Sequence, residues 1–367
     1  MRISAVIEQL EQLAPPLYQE HYDNAGLLTG DGDWECRGVL TTLDATEEVV
    51  LEALAKGCNL VVAHHPIIFG GLKKISGSNY VGRSVIAAIR NDIAIYAIHT
   101  NLDNMLAAGV NGKIADMLGL EQRQVLVPRT SGLLKLHCFV PVAHLEAVRV
   151  AVFAAGAGEI GRYDECSFGV EGAGTFKAGA GADPFVGQIG KRHEEKEARL
   201  EVVLPVHLSR AVVSAMIAAH PYEEVAYDLV PLVNPHPGIG AGLIGELPDS
   251  MEEAGFLNRL CAVFRVPVVR HTPLTGRRVR RVAVCGGSGS GLISNVLAAG
   301  ANFYVTADVK YHEFFDANGR MVIADIGHFE SEQFTVDLLF DFLREKFSNF
   351  AVLKSDTRTN PVYYHIS

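Results

Sequence analysis

Short apolar runs alternate with amphipathic stretches along the chain, and the succession occurs twice. Gly38 to Ala63 reads as strand, turn, helix and strand, and Arg281 to Thr306 reads the same way. Laid over one another without a gap, the two stretches put Val39 on Val282, Val49 on Leu292, Leu54 on Leu297, Gly57 on Gly300, Asn59 on Asn302 and Val62 on Val305. Each amphipathic helix ends at a glycine, Gly57 or Gly300, the residue that accepts a left-handed cap. The strands that follow, Leu60-Val61-Val62-Ala63 and Phe303-Tyr304-Val305, are apolar without alternation, as in strands buried on both faces. A further strand completes each copy, Ile93 to Ile98 before His99 and Met321 to Ala324 before His328. The pattern predicts an α/β fold with a duplicated three-layer core, its halves at residues 1–130 and 234–367.

Residues 131–233 have another rhythm. A strand at Leu133 to Val140 and a helix at His144 to Ala155 precede two strand-like stretches, around Cys166 to Val170 and Gly174 to Ala178. A strand at Leu200 to Leu204, a helix at His207 to Ala219 and a strand at Val225 to Val230 follow. The order β-α-β-β-α-β predicts an inserted ferredoxin-like α+β domain with an additional hairpin strand. Glycines between Gly156 and Gly190 predict a loop, and Pro231, Pro235, Pro237 and Gly238 mark the return to the core.

At 367 residues with 49% hydrophobic content, the chain can bury more than one core. Met-Arg-Ile-Ser runs into Glu8 and Glu11 with no apolar signal segment, and no later run approaches a membrane span of about 18 residues; these features predict a cytoplasmic location without membrane association. The six cysteines form no Cys-x-x-Cys pair, which argues for reduced thiols rather than a disulfide framework or zinc ribbon. A net charge of −10 disfavours nucleic acid as a partner. The densest basic run, Arg277-Arg278-Val279-Arg280-Arg281, leads straight into a strand and is read as its solvated start.

Three motifs carry candidate chemistry. His64-His65-Pro66 stands where an apolar strand is stopped by proline, and consecutive residues leaving a strand point to opposite sides, so the two imidazoles can serve two metals. His99-Thr100-Asn101-Leu102-Asp103 follows the next strand at its carboxyl end, where open α/β sheets place their sites. Asp103 is a hard oxygen donor there, and His99 is either a ligand or a partner that orients one. In Gly327-His328-Phe329-Glu330-Ser331-Glu332, His328 and Glu332 lie four apart on an opening helical turn and share a face, whereas Glu330 has a different azimuth. Three histidines and two carboxylates suit two borderline divalent ions, zinc, iron, manganese or cobalt, with a bridging carboxylate and an activated water. Cys285-Gly286-Gly287-Ser288-Gly289-Ser290-Gly291 lacks the Lys-Ser/Thr of a Walker loop and is either a phosphate cradle or a tight turn. Asp308, Lys310, Tyr311 and His312 either contact substrate or form a salt-bridged helix start.

Taken in order, the His-His-Pro, His-Thr-Asn-Leu-Asp, Gly-Gly-Ser-Gly, Val-Thr-Ala-Asp-Val-Lys-Tyr-His and Gly-His-Phe-Glu-Ser-Glu motifs resemble the NIF-three-like family of GTP cyclohydrolase 1 type 2 homologs over nearly the whole chain. The resemblance implies metal ligation by His64, His65, Asp103, His328 and Glu332, two divalent ions per chain, and assembly as a homohexamer. It also implies that Ser131 to Val233, with His220-Pro221-Tyr222-Glu223-Glu224, is the insert of the long family members, similar to PII and CutA proteins. The family name implies a hydrolase attacking purine C8 of GTP, with Gly286 to Gly291 as phosphate cradle and His99 as catalytic orienter or proton shuttle. A nucleotide or related metabolite is the expected small-molecule substrate. The alternative is a non-catalytic, metal-responsive regulator whose insert senses a small molecule.

Overall fold

In the computed structural model, which describes residues 1–130 and 132–365, the two sequence repeats become two sheets with matching registers. The first sheet contains β1 (Gly26–Thr29), β2 (Val39–Asp44), β3 (Leu60–His65), β4 (Ala94–Ala97) and β15 (Val352–Lys354), ordered β1-β4-β3-β2-β15. The second contains β5 (Glu121–Pro128), β10 (Gly240–Glu252), β11 (Arg270–His271), β12 (Arg278–Ser288), β13 (Phe303–Ala307) and β14 (Val322–Asp325), ordered β11-β14-β13-β12-β10-β5. In the first, parallel pairing sets Val39 beside Leu60 and Leu60 beside Ala94. In the second, Val282 stands beside Phe303 and Phe303 beside Val322, so residues matched in the sequence repeat occupy matched places in the ladders.

The central strands are buried on both sides because alternate residues feed different cores. Val39, Leu60, Val62, Val282, Phe303 and Val305 enter one cluster common to both sheets, packed with helices Ile3–Leu13, Val110–Met117, Glu253–Phe264 and Thr335–Lys346. Leu40, Val61 and Ile95 face helices Glu47–Ala55 and Tyr80–Arg90, and Ala283, Tyr304 and Ile323 face helix Ile293–Ala298. Thr46 caps Glu47–Ala55 by accepting from the Val49 amide, and Gly57 and Gly300, at φ +73° and +72°, end the matched helices. The basic run at the start of β12 is neutralised along its own sheet: Arg278 meets Glu252 at 2.6 Å and Arg280 meets Glu246 at 3.2 Å.

The chain divides into two units, Met1–Val127 with Gly238–Ser367, and Pro128–Pro237. The boundary expected at Ser131 lies outside the described residues. At its other end the second unit reaches Pro237 rather than Val233, since the His236 amide donates to the Arg129 carbonyl and closes the unit. Its sheet contains β6 (Leu133–Pro141), β7 (Ser167–Lys177), β8 (Arg192–Pro205) and β9 (Tyr227–Leu232), all antiparallel in the order β7-β8-β6-β9. Helices Leu145–Ala154 and Ser209–Ala219 contribute Val148, Val152, Val212 and Met216 to its core. The two stretches expected around Cys166 to Val170 and Gly174 to Ala178 are one strand, paired with β8 from Ser167 to Lys177. Gly174 does not interrupt it because the missing side chain makes room for Glu197, whose Oε2 would lie 1.9 Å from a Cβ there. Among the described residues no helix is long and apolar enough to cross a membrane.

Candidate metal centre

The carboxyl ends of the matched strands deliver five candidate ligands to one place. β3 ends at His64 and His65, and Pro66, which has no amide hydrogen, follows. The Ile98 amide donates to Ala63 O beyond β4, and the Ile326 amide donates to Thr306 O beyond β14, so both chains leave their sheets at equivalent points. Each then turns into a short helix, Thr100–Asp103 in one half and His328–Glu332 in the other.

Glu332 lies at the middle of the set. Its Oε2 is 2.9 Å from His65 Nε2 and 3.0 Å from His328 Nε2, and its Oε1 is 3.9 Å from His64 Nε2. Asp103 Oδ1 lies 3.5 Å from His64 Nε2. Three overlapping groups can hold a metal ion, His64 with Asp103 and Glu332, His65 with His328 and Glu332, and His64 with His65 and His99, the ligand atoms of each lying within 4.8 Å of one another. His99 thus stands beside the five expected ligands.

Every imidazole in the cluster is held by its other nitrogen. His64 Nδ1 donates to Ile98 O at 2.8 Å, His65 Nδ1 to Asp44 Oδ1 at 2.8 Å, His99 Nδ1 to Asp23 Oδ1 at 2.8 Å, and His328 Nδ1 to Asp308 Oδ2 at 2.6 Å. Such partners fix ring orientation and leave Nε2 for a metal. For His64 the place of the Nδ1 hydrogen follows from the partner, because a carbonyl only accepts, and Nε2 faces Asp103. His64 Nε2 and Asp103 Oδ1 are both buried without a hydrogen-bond partner. Two buried polar atoms without partners are costly, and a divalent cation satisfies both, so the donor set fits a metal.

Without an ion, protons hold the cluster together. Burial opposes the charged form of His65, but hydrogen bonds to Asp44 and Glu332 outweigh it and hold the imidazole up at about 10. In the same way His328, buried but bonded to Glu332 and Asp308, rises to about 9. Burial would raise Glu332, yet the three surrounding imidazoles keep it well below the usual carboxylate range. Burial pushes Asp103 up. Asp23, opposed by burial but bonded to His99 and Thr100, is held down at about 2.

The glycine run of the second half serves this geometry. Gly286 and Gly287 lie in β12, and their amides donate to Asn111 Oδ1 and Ser331 Oγ. Gly287 has φ +61°, and a Cβ there would stand 2.3 Å from Glu332 Oε1. The glycines therefore let the strand end approach Glu332, with two of the amides considered for a phosphate already engaged. Asp308 lies behind His328, whereas the Lys310 backbone amide donates to Glu313 Oε2 at the start of the next turn and Tyr311 is exposed. Glu330 turns away from the cluster and accepts from Asn360 Nδ2 at 2.8 Å. Asp23 and Asp44 were not distinguished in the sequence: Asp44 ends β2 at the same sheet edge, a usable signal, but Asp23 meets His99 from an irregular segment 76 residues away. A cleft of about 780 Å³ opens onto the centre, bordered by Tyr22, Phe69, Tyr80, His99 and Gly286.

The sequence model of a family described as Duf34/NIF3 (NGG1p interacting factor 3) matches residues 1–361. A Halalkalibacterium halodurans protein named GTP cyclohydrolase 1 type 2 homolog is 40% identical over 361 residues, covering 97% of this chain and 97% of its own. The Bacillus subtilis protein of the same name is 38% identical over 361 residues, covering 97% of this chain and 96% of its own. Among solved structures, a Bacillus cereus protein related to NIF3 superposes with a TM-score of 0.89 at 38% identity, over 100% of this chain and 99% of that one.

Proposed function

Since the chain belongs to the Duf34/NIF3 family, we propose that it is a metal-dependent hydrolase in which His64, His65, Asp103, His328 and Glu332 would hold two divalent ions, acting on a nucleotide or related metabolite. The observation that carries this reading is the convergence of Nδ1-anchored imidazoles on Glu332, beside the unpartnered His64 Nε2 and Asp103 Oδ1. The split of Glu332, Oε1 toward His64 and Oε2 toward His65 and His328, supports two ions rather than one. Zinc, iron, manganese or cobalt bound by such ligands supplies Lewis acidity and lowers the pKa of water.

The protein's own groups account for the rest. His64, His65, Asp103, His328 and Glu332 would hold the ions, and Ile98 O, Asp44 and Asp308 orient the imidazoles. His99 borders the cleft with Nδ1 fixed on Asp23, so its Nε2 can orient a reactant or relay a proton. The cleft has the size of a small-molecule site, and Tyr22, Phe69 and Tyr80 give it faces for a planar group. The names of the relatives put GTP first among substrates to test. A ring of six chains belongs to the same proposal and is checked by mass in solution.

The deciding experiment loads the protein with each of the four metals and follows product release from GTP and a nucleotide panel. Metal-dependent turnover lost in His99→Ala, with metal content unchanged, is the expected outcome. A protein carrying two ions per chain that turns over nothing would leave metal binding standing and remove the hydrolase.

A further inference from the structure

Beyond Lys354 the chain leaves β15 and crosses behind the metal centre. Its start is fixed on Glu52, which accepts from Ser355 Oγ at 2.6 Å, the Asp356 amide at 2.7 Å and Thr357 Oγ1 at 2.6 Å. Two residues on, Thr359 Oγ1 donates to Asp44 Oδ2 at 2.5 Å, and Asp44 Oδ1 is the atom that holds His65 Nδ1. Next, the buried Asn360 donates to Glu330 Oε1. Glu330 folds back over Gly327, where a Cβ would lie 2.2 Å from its Oε2, and so braces the start of the helix that carries His328 and Glu332.

We propose that residues 355–364 are a positioning strap for the metal centre, Thr359 acting on His65 through Asp44 and Asn360 acting on helix His328–Glu332 through Glu330. The inference rests on the metal reading of the five ligands. Its physical basis is that the two contacts fall on different halves of the duplicated core, one behind β3 and one behind β14. The Asp44 side chain is 31% exposed, so without the Thr359 hydroxyl it can turn toward water and its grip on His65 loosens. Asn360 is 4% exposed, and removing its amide leaves Glu330 Oε1 buried without a donor. The strap thus fixes, from outside the ligand set, the spacing between His65 and the His328–Glu332 pair.

The test is titration with zinc against a competing chelator, with melting followed in parallel. Thr359→Val keeps the shape and removes the hydroxyl, and is expected to weaken zinc binding about tenfold, as loss of groups behind metal ligands does. Thr359→Ser keeps the hydroxyl and is expected to bind as the wild type does. Should Thr359→Val fail to fold, Asn360→Ala carries the comparison, with the same weakening expected. Wild-type affinity in both Thr359→Val and Asn360→Ala, or equal losses in Thr359→Val and Thr359→Ser, would overturn the strap. A wild type that binds no zinc, iron, manganese or cobalt would instead defeat the metal reading beneath it.

Discussion

His64 Nε2 and Asp103 Oδ1 face each other across 3.5 Å, both buried and neither hydrogen-bonded. In a metal-free protein this pair is a stored cost, since an unsatisfied buried polar atom costs about 1–3 kcal/mol. Asp103→Asn supplies the missing donor, because the amide can give a hydrogen to His64 Nε2. We expect the variant to melt a few degrees higher than wild type without metal and to bind metal more weakly. Calorimetric melting with and without zinc measures both; equal or lower melting of the metal-free variant would show that the pair carries no such cost.

Metal binding should release protons. In the metal-free protein His65 titrates at about 10 and His328 at about 9, so both are charged at pH 7, whereas a ligand imidazole must be neutral. Affinity therefore rises with pH between 7 and 9, with about two protons released per chain at neutrality. Stability of the metal-free protein runs the other way. Both imidazoles are raised above the unfolded value of about 6.5, so their contribution is complete below that pH and is lost as pH climbs through about 9 and 10. Zinc-binding calorimetry in buffers of different ionisation enthalpy counts the protons, and a heat independent of buffer would contradict this account.

Gly287→Ala tests the role assigned to the glycine run. Its φ of +61° costs a non-glycine residue about 1–2 kcal/mol, and the new methyl would meet Glu332 Oε1 at 2.3 Å. The expected result is a lower melting temperature together with loss of bound metal, since the displaced group is the central carboxylate. Gly291→Ala, whose Cβ meets nothing within 4 Å, should keep its metal. If both variants retain full metal content, close approach to Glu332 is not what the glycine serves.

Much of this centre is written locally in the chain. The repeat from Gly38 to Ala63 and Arg281 to Thr306 can be read because strands buried on both faces leave unbroken apolar runs, and it places His64, His65, Asp103, His328 and Glu332 at matched strand ends. The groups behind the imidazoles are less legible, since their partners are set by tertiary approach. Asp23 reaches His99 from an irregular segment, and Thr359 reaches Asp44 across 315 positions. Glycine is ambiguous in a different way. Gly286 and Gly287 suggested a cradle for an anion, but what approaches them is a side chain of the protein itself, and a sequence does not say which neighbour needs the space. The same ambiguity divided β7 into two expected strands between Val170 and Gly174, although pairing with β8 continues through Gly172.

The choice between Glu330 and Glu332 can be decided by substitution, because the two carboxylates are both buried yet serve opposite sides of one helical turn. Glu332 faces three imidazoles, whereas Glu330 accepts from Asn360 and packs over Gly327. Glu332→Ala removes the carboxylate proposed to serve both ions, so metal content by mass spectrometry should fall by at least one ion per chain. It also removes the charge that sustains His65 and His328, so both imidazoles should titrate lower in the metal-free variant, a shift visible by NMR. Glu330→Gln keeps an acceptor for Asn360 and leaves the ligands in place, so both ions should remain and the imidazole titrations should hardly move. Retention of two ions in Glu332→Ala would break the assignment of Glu332 to both ions. Loss in Glu330→Gln equal to that in Glu332→Ala would mean that bracing the helix, rather than ligation, controls occupancy.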